Sequence, residues 1–205
     1  MTGYRVVNLK FLIEELGEDA AKSILSNFSC PLNPDVEFFL SKKAIEFAKH
    51  GWSQTHLVFA SYKNEWVLVG YFALSSKYIR ISAKYLGNAS SNLRRRISQF
   101  ATYDRALKCY ILAAPLIAQL GKNFSNGYDK LITGDELLSE ACFKIARLQF
   151  EIGGKFAYIE CEDKPQLTDF YSRNGFCEFD TRQLDRDEED KLDGGYLVQM
   201  LKYIK

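Results

Sequence analysis

Apolar residues at Leu9, Leu12, Ile13 and Leu16, then at Ala20, Ala21, Ile24 and Leu25, recur at helical spacing and are interrupted at Gly17. That pattern predicts two short helices between Leu9 and Asn27. After the turn at Pro31-Leu32-Asn33-Pro34, a second stripe of Val36, Phe39, Leu40, Ile45, Phe47 and Ala48 predicts a third helix from Asp35 to His50, stopped by Gly51. From Thr55 the period becomes that of a strand. Leu57 to Tyr62, a polar turn at Lys63-Asn64-Glu65, and Trp66 to Leu74 predict an antiparallel pair, with a separate third strand near Tyr78 to Ser82. Leu86 to Lys108 reads as irregular and polar, and it holds Arg94-Arg95-Arg96.

Strand pattern resumes at Tyr110 to Lys122, and a long helix is predicted from Thr133 to about Ile152, ending at Gly153-Gly154. Thr133 and Glu136 have the Thr-x-x-Glu form of a capping box, in which each side chain satisfies a backbone N–H of the other residue. Phe156 to Glu160 reads as a strand, Pro165 to Arg173 as a helix, and Phe176 to Phe179 with Tyr196 to Tyr203 as a closing strand pair. The acidic stretch Asp185 to Asp193 reads as a solvated loop, since like charges repel and stay hydrated. Helices and strands in this order predict an α/β (α+β) fold, a mixed and mostly antiparallel central sheet flanked by helices. A single domain spanning residues 1–205 is expected from the length.

Composition narrows the class. Hydrophobic content of 47% with 26% charged residues supports a packed globular chain and argues against disorder. A net charge of +1 gives no global reason to expect a polyanionic partner. The five cysteines are odd in number, scattered and never in a C-x-x-C pair, so neither a disulfide framework nor a zinc site is suggested, and no metal is expected. Reduced thiols, together with the lack of a secretory leader or of a run near twenty apolar residues, point to a cytoplasmic protein that does not engage a membrane.

The chemistry concentrates in the second half. Leu116-Ile117-Ala118-Gln119-Leu120-Gly121-Lys122-Asn123 is a strand that leads through a polar turn to a helix opening at Thr133-Gly134-Asp135-Glu136. A helix N-terminus suits a diphosphate, because its first N–H groups lack intrahelical acceptors and the helix dipole favours negative charge. Phe170-Tyr171-Ser172-Arg173-Asn174-Gly175-Phe176 then delivers a tyrosine at the end of a second helix. The order and spacing of these segments resemble the GNAT superfamily of acetyl-CoA-dependent N-acetyltransferases, over about Asp35 to Tyr203.

That resemblance implies a GNAT-like acyltransferase fold and transfer of an acetyl group from acetyl-CoA, as co-substrate, to a primary amine of a small molecule or protein. It implies Tyr171 as the general acid that protonates the departing CoA thiolate. It implies backbone contacts to pantetheine from Leu120, Gly121 and Lys122. The family's glycine-rich diphosphate loop is replaced here by Phe124-Ser125-Asn126-Gly127-Tyr128-Asp129-Lys130-Leu131-Ile132-Thr133-Gly134, with only Gly134 in the usual place. Amides of Thr133, Gly134 and Asp135 with Lys130 could hold the diphosphate, a path through Asn126-Gly127 could do so, or binding could be weak or lost. Asp135 places negative charge where phosphate would sit.

No general base is identifiable. Glu160 and Glu162 lie at a strand end near the expected amine approach, where either could instead be a solvated carboxylate; His50 and His56 read as structural or surface residues, and Cys161, which could lie near the thioester, reads as a buried unreactive thiol. Phe28-Ser29-Cys30, the helix from Asp35 to Gly51, and Val69 to Ser75 resemble the N-terminal half of GNAT toxins that acetylate aminoacyl-tRNA. This tRNA reading ranks below a generic amine, because the chain shows no overall positive excess. A non-catalytic GNAT-fold binding module is the third reading, with the eroded loop as its signature. Expected partners are acetyl-CoA and an amine acceptor, with a homodimer left open.

Overall fold

The computed structural model describes residues 3–186 and 194–205. In chain order the elements begin with β1 (Tyr4–Asn8), α1 (Leu9–Leu16), α2 (Glu18–Leu25), α3 (Pro34–Phe38), a π-helical turn (Phe39–Lys43), α4 (Ala44–His50), β2 (Gln54–Tyr62) and β3 (Glu65–Ser82). They continue with α5 (Ala83–Asn88), α6 (Ser91–Phe100), β4 (Thr102–Asp104), β5 (Cys109–Lys122), a 3₁₀ turn (Ser125–Leu131) and α7 (Gly134–Ile152). The last are β6 (Phe156–Glu162), α8 (Pro165–Arg173), β7 (Cys177–Gln183) and β8 (Tyr196–Tyr203). Two compact units emerge: Met1–Ser75 with Ile117–Phe143, and Ser76–Leu116 with Lys144–Lys205.

In the first unit β1 pairs antiparallel with β2, from Tyr4↔Ala60 to Asn8↔His56, and β2 pairs antiparallel with β3. The β2–β3 hairpin turns on Lys63 and Asn64, with φ of 50° and 65°, the left-handed pair that a two-residue turn needs to match strand twist. Gly17, at φ +84°, separates α1 from α2 where the apolar stripe breaks. The helix expected from Asp35 to His50 is present as α3, the π turn and α4. Asn33 caps it by accepting from the Val36 N–H at 3.3 Å. Its apolar face packs on the sheet through Val36, Phe39 and Leu40, and Phe39 lies parallel to Tyr71 with ring centroids 6.4 Å apart. Tyr71 is wholly buried, and its hydroxyl is satisfied by the Val36 carbonyl at 2.6 Å.

In the second unit β6 pairs antiparallel with β8 from Phe156↔Tyr203 to Glu162↔Leu197, and β8 pairs antiparallel with β7. β4 and β5 form a hairpin. β5 and β6 run parallel and meet at Leu116↔Tyr158, just past Pro115, a residue with no N–H to donate. The core of this unit joins Ile79, Ile81, Leu86, Ile97, Leu112, Tyr158, Phe179 and Leu201. The architecture is therefore the mixed, mostly antiparallel β-structure flanked by helices that the pattern predicts.

Three expectations are corrected. Tyr78 to Ser82, expected as a separate strand, continues β3 without a break. The stretch from Leu86 to Lys108, expected to be irregular, contains part of α5, all of α6 and β4. Ser82 and Ser90 cap α5 and α6 by accepting from the Tyr85 and Leu93 N–H groups at 3.1 and 3.3 Å. A third difference is β1, an edge strand of five residues that the apolar pattern did not signal. Of the acidic run from Asp185 to Asp193, residues 187–193 lie outside the described residues.

Candidate active site

The expected site residues fall in both units. Leu120, Gly121, Lys122, Lys130, Thr133, Gly134 and Asp135 belong to the first, and Tyr171 belongs to the second.

In the first unit the end of β5 is packed too closely for a side chain at one position. A Cβ on Gly121 would lie 2.4 Å from Val36 Cγ1, and a Cβ on Gly70 would lie 2.9 Å from the Gly121 carbonyl oxygen. Glycine at both positions lets β3, β5 and α3 approach. Asn123 then pins the start of the loop. Wholly buried, it donates to the Asn27 and Leu68 carbonyls at 3.1 and 2.8 Å and accepts from the Ser29 and Ser125 N–H groups, each at 3.0 Å. Lys122 turns its ammonium onto the Asp129 carbonyl at 2.9 Å, so its side chain ties the loop to the strand. Within the loop Asn126 and Gly127 take left-handed φ of 54° and 72°, which reverses the chain between two short 3₁₀ turns.

The capping box at α7 is formed. Thr133 N–H and Oγ1 both donate to Glu136 Oε2 at 2.8 Å, and the Glu136 N–H donates to Thr133 Oγ1 at 3.1 Å. The Thr133 amide thus serves the cap. Gly134 and Asp135 open α7. Hydrogen bonds from the Thr133 amide and hydroxyl hold the Glu136 carboxyl below its usual range, so Asp135 is joined by a second carboxylate in the first turn. Lys130 is exposed at the end of the 3₁₀ turn.

In the second unit α8 starts on Pro165 and ends in a tight turn. The Asn174 and Phe176 N–H groups both donate to the Tyr171 carbonyl at 3.1 Å, and Gly175 takes φ +83°. This turn clasps the Tyr171 ring edge-on between Phe170 and Phe176, with centroids 4.9 and 5.8 Å away. Burial, with Cys161 nearby, raises the Tyr171 phenol well above the ordinary tyrosine range. Among the described residues its hydroxyl has no hydrogen-bond partner. Burial also pushes the Cys161 thiol up to about 12, so it stays protonated. Cys30, Cys109, Cys142 and Cys161 are buried and form no disulfide, and Cys177 is exposed.

Glu160 is not an idle strand-end carboxylate. Burial alone would raise its pKa, but hydrogen bonds from Arg182, Tyr158 and Gln199 outweigh this and hold it low. Arg182 Nε donates to Oε1 at 3.0 Å and Nη2 to Oε2 at 2.9 Å, Gln199 Nε2 donates to Oε1 at 3.1 Å, and the Tyr158 hydroxyl donates to Oε1 as well. A carboxylate so engaged is a poor proton acceptor. Glu162 pairs with Lys164 at 2.9 Å. His50 is exposed and stacks on Trp52, and His56 is buried against Phe72.

The arginine run lies on α6, not in a loop. Arg94 donates to the Leu86 and Gly87 carbonyls at 3.1 and 2.6 Å, which caps the end of α5, and Arg96 sits 4.2 Å over the Tyr203 ring. A wider basic feature was missed because the charge sum was taken over the whole chain. Residues 76–110 contain Lys77, Arg80, Lys84, Arg94, Arg95, Arg96, Arg105 and Lys108 against one acid, Asp104. In this segment Lys77, Arg80, Lys84, Arg95, Arg105 and Lys108 are exposed, as is Tyr78 at 80%. A charge count in a sliding window would have found it. Among the described residues no cluster of His, Cys, Asp or Glu could hold a metal ion.

The strand pairing, the helix opening at Gly134 and the tyrosine-ended α8 together define a GNAT-type acyltransferase fold. Solved toxin structures share it. The Tyr-to-Phe mutant of KacT matches with a TM-score of 0.61 at 12% identity, over 97% of this chain and 95% of that one. AtaT complexed with acetyl-methionyl-tRNAfMet matches with 0.58 at 13% identity, over 95% and 93% of the two chains. AtaTR bound with acetyl-CoA matches with 0.55 at 14% identity, over 98% and 94%. No family model matches the sequence, and no curated protein does. Among the described residues no helix is long and apolar enough to cross a membrane.

Proposed function

We propose that this chain is an acetyl-CoA-dependent N-acetyltransferase. The observation that carries the reading is Tyr171: a phenol kept protonated by burial, held by the turn that ends α8, and without an internal hydrogen-bond partner among the described residues. The fold it shares with AtaTR bound with acetyl-CoA supports the choice of donor. Backbone groups of Leu120, Gly121 and Lys122 serve pantetheine in this reading. The first-turn amides of Gly134 and Asp135 with Lys130 serve the diphosphate, and Thr133 contributes through its cap.

In the reaction the acceptor nitrogen bonds to the thioester carbonyl carbon and the C–S bond breaks. One proton leaves the nitrogen and one joins sulfur. A phenol with a raised pKa gives its proton to a free thiolate only uphill, so Tyr171 acts first as a hydrogen-bond donor to the departing sulfur. Water takes the amine proton, since Glu160 is committed to Arg182, Tyr158 and Gln199.

For the acceptor, the basic segment 76–110 favours aminoacyl-tRNA over a generic amine, reversing the order drawn from net charge. Phosphate contacts from exposed Lys and Arg dominate such affinity, and a local patch supplies them whatever the overall balance. AtaT complexed with acetyl-methionyl-tRNAfMet shares the fold. Calorimetric titration with acetyl-CoA, followed by incubation with aminoacyl-tRNA and mass analysis of the aminoacyl group, tests both steps. Micromolar binding and a gain of one acetyl group are expected. Binding without transfer to tRNA would return the search to small amines and proteins. No binding at millimolar acetyl-CoA would leave the non-catalytic module.

A further inference from the structure

The loop from Ser125 to Leu131 is held from an unexpected side. β1, the edge strand that pattern analysis overlooked, brings the Tyr4 hydroxyl to the Leu131 carbonyl at 3.1 Å, where it donates a hydrogen bond. Burial, then Glu136 and Glu140, pushes the phenol up to about 12, so it remains a donor at any physiological pH. The next strand adds an aromatic contact, Tyr62 edge-on to Tyr128 at 6.0 Å between centroids. The loop is therefore tied to β5 by Lys122 and Asn123, and to the β1–β2 edge by Tyr4 and Tyr62.

We propose that Tyr4 is a positioning residue for the acetyl-CoA diphosphate: its hydrogen bond to the Leu131 carbonyl holds the end of the loop that leads into α7. The inference rests on the acetyl-CoA reading. Glycine-rich loops close around phosphate by backbone freedom. This loop lacks those glycines and reaches a defined shape through side-chain ties instead, which lowers the ordering cost on binding.

The test compares two donors, acetyl-CoA and acetylpantetheine, which lacks the diphosphate. Tyr4→Phe removes one oxygen from a half-buried residue and leaves the β1–β2 ladder intact. The affinity of Tyr4→Phe for acetyl-CoA should fall about fivefold, the size of one net hydrogen bond, with kcat at saturating acetyl-CoA unchanged. Its kcat/KM for acetylpantetheine should match that of the unaltered chain. An equal loss on both donors, or no loss on either, overturns the positioning role while leaving the acetyltransferase reading in place. Failure of the unaltered chain to bind acetyl-CoA overturns both.

Discussion

Arg182 closes on Glu160 through two parallel hydrogen bonds, Nε to Oε1 at 3.0 Å and Nη2 to Oε2 at 2.9 Å, from neighbouring parts of the same β6–β8–β7 ladder. Bidentate pairing of this kind fixes geometry as well as charge. Both side chains are mostly buried, at 26% and 13% exposure. The pair therefore matters more to the stability of the second unit than an exposed ion pair would.

Removing one partner leaves the other charge stranded. Arg182→Met should destabilise the protein by about 3 kcal/mol at pH 7, measured by urea unfolding. The sign of the pH dependence follows from the lowered Glu160 pKa. Its contribution is present above the pKa of an unfolded glutamate, about 4.3, and is lost as pH falls through the lower folded value. The gap between the unaltered chain and Glu160→Gln should narrow below pH 4. A constant gap down to pH 3 would mean that the carboxylate is not held low.

Tyr171→Phe keeps the ring between Phe170 and Phe176 and deletes only the donor. Turnover should fall roughly 100-fold, with acetyl-CoA affinity within about twofold of the unaltered chain. The raised phenol also predicts no loss of activity from Tyr171 ionisation up to about pH 10. Steady-state rates across pH 6 to 10 for both forms would show an unchanged rate if the hydroxyl has no part in the chemistry.

Gly121 has a packing reason to be glycine, apart from any contact with pantetheine. Gly121→Ala places a methyl carbon 2.4 Å from Val36 Cγ1 and should cost about 1–3 kcal/mol. Adding Val36→Ala should recover part of that loss, because it removes the atom in the way. Thermal unfolding of the two single variants and the double variant decides this; additive losses would place the strain elsewhere.

Arg94 and Arg95 are neighbours with different work. Arg94→Ala removes the donors that cap α5 and should cost about 1–2 kcal/mol of stability. Arg95→Ala, like Arg80→Ala or Lys84→Ala, should leave stability within about 0.5 kcal/mol. Each exposed cation that contacts phosphate should reduce the slope of log affinity for tRNA against log salt by about 1. Filter binding of tRNA at several salt concentrations reads this, and unchanged slopes would remove the 76–110 segment as the grip.

The helix starts and stops were legible where the signal is local. Gly17, Gly51 and the Thr133–Glu136 box each act within one turn, and all three appear as read. The α5–α6 pair was not legible for a tertiary reason. In α6 only Ile97 is fully buried, so no apolar stripe announces the helix, and the end of α5 is satisfied by Arg94 from the next element. β1 was missed because five residues carry little periodicity and its partner lies some fifty positions away. The site divides in the same way. The stop of α8 at Gly175 could be read from its local sequence, whereas the ties from Tyr4 to Leu131 and Arg182 to Glu160 exist only once distant segments meet.

The distribution of thiols has a practical consequence. Four cysteines are buried, while Cys177 stands exposed two residues beyond the Gly175 turn that supports Tyr171. A maleimide dye will therefore enter one place without prior mutagenesis, and that place adjoins the residue assigned to the chemistry. Emission from a single Cys177 label should report donor binding as it happens, giving the chain a built-in optical readout for each experiment above.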